Sequence, residues 1–225
     1  MKGQIVYIGG HRASESQAYQ ALNSFRKYKW DVELYEGITH FNLEERNPKI
    51  IENSRLHDFK TQNYNRYLTK VSCATNNLNF FHRVADGSEP MAFIEHDAIC
   101  IDYPQDYDFE DCLILNAEFV FKPPNKLAIN QFKDYIWPSF GIADLPEDFG
   151  LKYHKENPWK GSSMIPGTGA YALTPAGAKK MIMAVKKYGL DQSDFMINTA
   201  NLRIQYINPS PVKFNTKNLS TSYGI

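Results

Sequence analysis

Apolar residues recur along the chain in two rhythms, and their alternation predicts an α/β fold. Residues 4–8 (QIVYI) make a compact β-prone run that stops at Gly9 and Gly10. Beyond a polar opening, Tyr19, Leu22 and Phe25 return at helical spacing, and residues 30–35 supply the next strand. Strand, glycine turn, helix and strand is how α/β domains begin. Residues 72–84 place Leu78, Phe81 and Val84 on one helical face before a break at Asp86 and Gly87. Pro90 then precedes MAFI (residues 91–94), apolar throughout, as a strand covered on both faces is. A further strand is expected over residues 112–121, stopped by KPP at 122–124.

The clearest unit lies later. Residues 170–173 (AYAL) read as a strand, Thr174 as a helix cap, Pro175 as the first helical residue and Gly189 as the stop. Ala178, Met181, Ile182 and Val185 turn inward, leaving Lys179, Lys180, Lys186 and Lys187 wet. Residues 40–65 are polar and mixed in sign, consistent with short helical pieces, and residues 136–166 are rich in turns and aromatic anchors.

Composition narrows the functional classes. A chain of 225 residues that is 43% apolar builds one substantial core, so a single domain spanning 1–225 is expected. Lys plus Arg and Asp plus Glu are 25 each, which excludes a strong nonspecific attraction to nucleic acid and leaves only a local basic face around Arg66, Lys70 and Arg83. Cys73, Cys100 and Cys112 are an odd set without close pairs, the usage of reduced core thiols in a cytoplasm-like compartment. With no apolar run of membrane-spanning length and no signal-peptide core, a cytoplasmic protein without a membrane span is expected.

The chemistry concentrates at FIEHDA, residues 93–98. Glu95 and Asp97 flank His96 where a buried strand ends. If the backbone turns there, both carboxylates can reach one divalent ion, and oxygen ligands favour Mg²⁺ or Mn²⁺. His96 can add a nitrogen ligand or orient the ion's water. The plainer alternative is an acidic strand end that has reached water.

FIEHDA resembles the hydrophobic-Glu-Asp-Asp signature of glycosyltransferase family 25, the LPS biosynthesis and procollagen galactosyltransferase family. PGTGAYALTPAGAKKMI is similar to its later Gly-Thr strand and Gly-Ala-Lys-Lys helix, SCATNNLNFF to its Gly-Cys-x-x-Ser-His helix, and YEGIT to its early aromatic-x-Gly-Ile element. The resemblance implies a glycosyltransferase A-like fold, a Rossmann-like central mixed sheet flanked by helices. Its nucleotide-binding portion would lie at about residues 1–121 and its acceptor side at about 122–225. It also implies a nucleotide-diphosphate sugar donor and Mn²⁺ or Mg²⁺ at the acidic motif. Asp97 becomes the main ligand, Glu95 assists donor or hydrated metal, and His96 replaces the family's middle Asp.

In the same frame Gly9 and Gly10 admit close approach of the nucleotide and Arg12 meets its phosphates. Asn76 and Asn77 stand where the family has Ser-His and contact nucleotide or sugar. Thr168 recognises sugar or acceptor, and Tyr171 either stacks on the ligand or packs in the core. An acidic residue near DQSD serves as base: Asp194, with Asp191 as substitute. Trp137, Trp159 and Phe140 are either a sugar platform or packing anchors, and Lys213 and Lys217 either phosphate contacts or a wet terminus.

The expected activity is inverting transfer of a hexose from a UDP-sugar, UDP-galactose or UDP-glucose on the resemblance. The acceptor hydroxyl would belong to a saccharide, a protein side chain or a modified DNA base. Two other readings stay open: a catalytically weak nucleotide-sugar-binding protein, and a metal-dependent phosphoesterase.

Overall fold

The structure is a computed structural model that describes residues 1–47, 49–50, 54, 64–104, 107–119, 139–145, 159–164 and 169–215. Its centre is a mixed sheet of seven strands in the order β2-β1-β3-β7-β5-β8-β6, flanked by helices. The strands are β1 (Lys2–Tyr7), β2 (Asp31–Glu36), β3 (Met91–Glu95), β5 (Cys112–Ile114), β6 (Gly141–Asp144), β7 (Ala170–Leu173) and β8 (Ile204–Asn208). A second small sheet pairs β4 (Ala98–Cys100) with β9 (Val212–Phe214).

Side-chain alternation divides the core between the two faces of the large sheet. Ile5, Ala92, Ile94, Ala170 and Ala172 meet Ala18, Ala21, Leu22 and Phe25 of helix α1 (Arg12–Lys27). Phe93, Tyr171, Leu173 and Ile204 point the other way, towards two further helices. These are α3 (Tyr64–Ala85) and α4 (Pro175–Tyr188), which pack along one another. Shorter helical segments are α2 (Leu43–Arg46) and α5 (Ser193–Met196), the latter against α3. Each fully buried Phe, Leu or Ile contributes about 1.5–3 kcal/mol, so the two clusters supply the driving force for the fold.

The capping expected for α4 is present. The Gly177 N–H donates to Thr174 Oγ1 at 3.0 Å, the Thr174 hydroxyl donates to the Glu110 carbonyl at 2.8 Å, and Gly189 leaves the helix at φ 86°. Elsewhere the structure corrects the sequence reading. The strand expected over residues 112–121 lasts only to Ile114 and gives way to a 3₁₀ turn at Ala117–Phe119. Glu118 and Ser210 capture each other's backbone N–H groups there, at 3.1 and 2.5 Å, and draw the chain off the ladder. Helix α3 begins eight residues before the expected start at 72, because Tyr67, Leu68, Val71 and Ala74 continue its buried face. Strands β6, β8 and β9 come from segments in which no strand was expected.

Topology fixes where a ligand belongs. β1 lies between β2 and β3 and is parallel to both, so the chain moves to one side of β1 for β2 and to the other for β3. In an open α/β sheet, the crevice outside the carboxyl ends of two such strands is the usual binding position. Gly9, Gly10 and Arg12 follow β1 at that edge, and Glu95, His96 and Asp97 follow β3. β7 is antiparallel to β3, with Ala170 opposite Ile94, so its first residues meet the same edge.

Candidate functional site

The acidic tip of β3 is held from two directions. The Glu95 N–H donates to the Gly169 carbonyl at 2.8 Å, and the Asn215 N–H donates to the Asp97 carbonyl at 2.7 Å. Gly169 has no room for a Cβ, because the Phe214 ring occupies that space. Thus β9, from the C-terminal segment, returns beside the acidic tip.

Two atoms of this tip remain without partners. Asp97 Oδ1 and His96 Nε2 are both buried and make no hydrogen bond. Native structures rarely leave such atoms unpaired unless a ligand, ion or water completes them. Burial pushes the Asp97 carboxyl up, against the lowering influence of His96. Burial pulls the His96 imidazole down, with Asp97 opposing and His11 adding to the fall. A neutral imidazole and a desolvated carboxylate both gain from a cation.

Glu95 is open to solvent by area, yet crowding by surrounding protein pushes its carboxyl well up, with Asp97 and then Asp194 adding like charge. The same combination marks Cys73 on α3: solvent reaches it, but its thiol is pushed up to about 12 by desolvation, then by Glu95 and Asp194, with Lys70 opposing. The charges of Glu95 and Asp194 therefore act on one neighbourhood beside the tip. Tyr171 lies fully buried nearby, its hydroxyl pushed well up by burial and then by Cys112, Glu95 and Asp194. It donates to Asn77 Oδ1 at 2.5 Å, and Asn77 Nδ2 donates to the Cys73 carbonyl at 3.0 Å. These two bonds fix Tyr171 against helix α3.

The candidates drawn from the sequence fall into three groups. Glu95, His96 and Asp97 share the tip of β3, and Asp194 on α5 lies near enough for its charge to act on Glu95. Asn76, Asn77 and Asp191 are buried and engaged by the protein itself. Asn76 grips the Ile38 backbone with both ends of its amide, at 2.7 and 2.9 Å, Asn77 accepts the Tyr171 hydroxyl and donates to the Cys73 carbonyl, and Asp191 accepts the Gln192 N–H at 2.7 Å. Thr168, Trp137 and Lys217 lie outside the described residues.

The glycine turn carries an acidic surround. The Gly10 N–H donates to Glu15 Oε1 at 2.8 Å, the Ile8 N–H to Ser14 Oγ at 2.9 Å, and the Glu36 carboxyl lies against Gly9. Two carboxylates there suit hydroxyl groups better than phosphate, while the exposed Arg12 at the start of α1 brings a cation. Trp159 is a packing anchor, buried and donating to Asn201 Oδ1, and Phe140 is exposed. Arg83 is engaged with Glu33 at 2.7 Å and lies over the Tyr35 ring, which takes it out of the basic face considered for DNA. A cavity of about 740 Å³ lined by Met1, Lys2, Asp31 and Met91 sits at the opposite, amino-terminal ends of β1 to β3, away from the acidic tip.

The sequence places Cys73 among the core thiols, yet solvent reaches it on α3, and Phe214 and Asn215 escaped the sequence reading. Lys70, Cys73 and Asn77 form one helical stripe, a signal visible in the sequence, whereas the contacts of Phe214 and Asn215 join residues far apart in the chain. A bound divalent ion fits the two unpartnered atoms at the tip. Among the described residues, no group of three or more His, Cys, Asp or Glu side chains could hold a metal by itself, so water or a ligand would complete the shell. No protein-family model matches the chain, and no curated protein matches it.

Proposed function

We propose that this protein is a metal-dependent glycosyltransferase that moves a hexose from a nucleotide-diphosphate sugar to an acceptor hydroxyl. The observation that carries the reading is the acidic tip of β3 at the switch point beside β1, where Asp97 Oδ1 and His96 Nε2 are buried without partners and Asp194 adds its charge to that of Glu95. Motif resemblance alone leaves the partners of the acidic tip undefined, and this juxtaposition gives them roles.

Asp97 would hold the divalent ion, with Glu95 assisting the donor or the ion's water. When bound, the ion neutralises the negative charge that grows on the departing diphosphate. Asp194 accepts the proton of the acceptor hydroxyl as its oxygen bonds to the anomeric carbon. The bond from that carbon to the diphosphate oxygen breaks, and its electron pair leaves with the nucleotide. Attack opposite the leaving group inverts the anomeric centre. UDP-galactose or UDP-glucose is the donor favoured by the motif resemblance. The acceptor is a saccharide, protein or modified-base hydroxyl.

The test is incubation with Mn²⁺ and a panel of UDP-sugars, recording donor loss and transferred mass on candidate acceptors. Transfer that vanishes in Asp97→Ala supports the reading. Tight donor binding without turnover across the panel would make the protein a nucleotide-sugar binder, and phosphate release without sugar transfer would make it a phosphoesterase.

A further inference from the structure

We infer that His96 is itself a ligand through Nε2, so that the tip is a mixed nitrogen and oxygen site preferring a transition-metal ion to Mg²⁺ or Ca²⁺. This rests on reading the acidic tip as a cation site, but it assigns the site's chemistry to a different atom from those of the flanking carboxylates. The geometry points there in three steps. First, Nε2 of the imidazole is left without a partner. In the tautomer protonated on Nδ1, this nitrogen carries the lone pair that a metal takes. Second, that nitrogen is buried, so water does not satisfy it in passing, and its sequence neighbour Asp97 presents an equally unpartnered buried oxygen, Oδ1. Third, the turn carrying both is clamped by Gly169 and Asn215, which fixes the backbone from which the two side chains project.

The nearby His11 is differently occupied: its Nδ1 accepts the Ser14 N–H at 3.2 Å as the cap of α1. Imidazole suits first-row transition metals, whereas Mg²⁺ and Ca²⁺ take oxygen ligands almost exclusively. One His in place of a carboxylate therefore shifts selectivity as well as charge.

Electron spin-echo spectroscopy of the full chain with MnCl₂, alone and with UDP, reads the ligand directly. The expected result is nitrogen coupling on bound Mn²⁺ that moves to the ¹⁵N frequency in ¹⁵N-labelled protein, disappears in His96→Gln and survives in His11→Gln. In His96→Asp, the ratio of Mn²⁺ to Mg²⁺ affinity falls by about tenfold or more as an oxygen replaces the nitrogen. Wild-type protein that binds Mn²⁺ through Asp97 without nitrogen coupling would overturn the inference and leave the glycosyltransferase reading intact. Nitrogen-coupled Mn²⁺ with no donor binding would do the reverse. Failure to bind Mn²⁺ in either condition also overturns it, and the spectrum of the unmodified chain decides the matter even if a variant misfolds.

Discussion

Replacing Gly169 with Ala probes how the C-terminal strand holds the acidic tip. A Cβ built there would overlap the Phe214 ring, 2.5 Å from Cζ and closer still to Cε1, whereas ordinary carbon contacts lie near 3.5–4 Å. The ring would have to retreat by roughly 1 Å, and it belongs to β9, which is paired through Val212 with Cys100. Overpacking of this kind costs about 1–3 kcal/mol. For a domain of this size the loss lowers Tm by about 2–4 °C per kcal/mol. Phe214→Ala alone, at a half-buried site, should cost about 1–2 kcal/mol, less than a fully buried Phe. The double variant should cost little more than Phe214→Ala, because the added methyl then has space, giving a coupling energy of about 1–3 kcal/mol. Urea unfolding of the four proteins measures the cycle, and Mn²⁺ titration should show Gly169→Ala weakened, since displaced β9 carries the Asn215 N–H away from the Asp97 carbonyl. Additive costs, or a Gly169→Ala protein within about 0.5 kcal/mol of wild type, would refute the packing account.

Other consequences follow from the same contacts. Asp194→Asn should keep donor affinity and slow transfer about 10²–10⁴-fold, whereas Asp191→Asn should mainly lower stability; steady-state kinetics beside urea unfolding separates them. At pH 8, raising the Cys73 thiol to about 12 cuts its thiolate about a thousandfold and raises its nucleophilicity about twentyfold, so iodoacetamide labelling followed by mass spectrometry should run about fiftyfold slower than for a free thiol. Hydrogen bonding to Arg203 pulls the Asp144 carboxyl down, so its contribution to stability is fully present above the ordinary value of 3.8 and disappears as pH falls through the lowered one. Asp144→Asn should flatten that part of the acid limb in unfolding measured from pH 5 to 2, while an unchanged limb would count against the Arg203 pair.

Much of the scaffold was legible because its causes are local. The apolar run at residues 91–94 and AYAL at 170–173 announce strands covered on both faces, and Thr174, Pro175 and Gly189 bracket a helix through their own backbone preferences. The tip of β3 was legible as a chemical feature for the same reason, since three polar residues interrupt an apolar run. Asn76 and Asn77 misdirected the reading, because helical spacing gives a side chain's direction but not its partner: one amide grips Ile38, the other accepts the Tyr171 hydroxyl.

The sequence by itself determined an α/β chain, the order of its central elements and the presence of carboxylates at the end of a buried strand, since each follows from neighbours a few residues apart. Only the tertiary structure decided that this strand end is a held cluster. Glu95 is tied to Gly169 and Asp97 to Asn215, and those partners are separated by spans over which a single chain carries no register. Strand pairing brings them together, and burial then turns ordinary polar atoms into unpartnered ones whose free energy favours a cation.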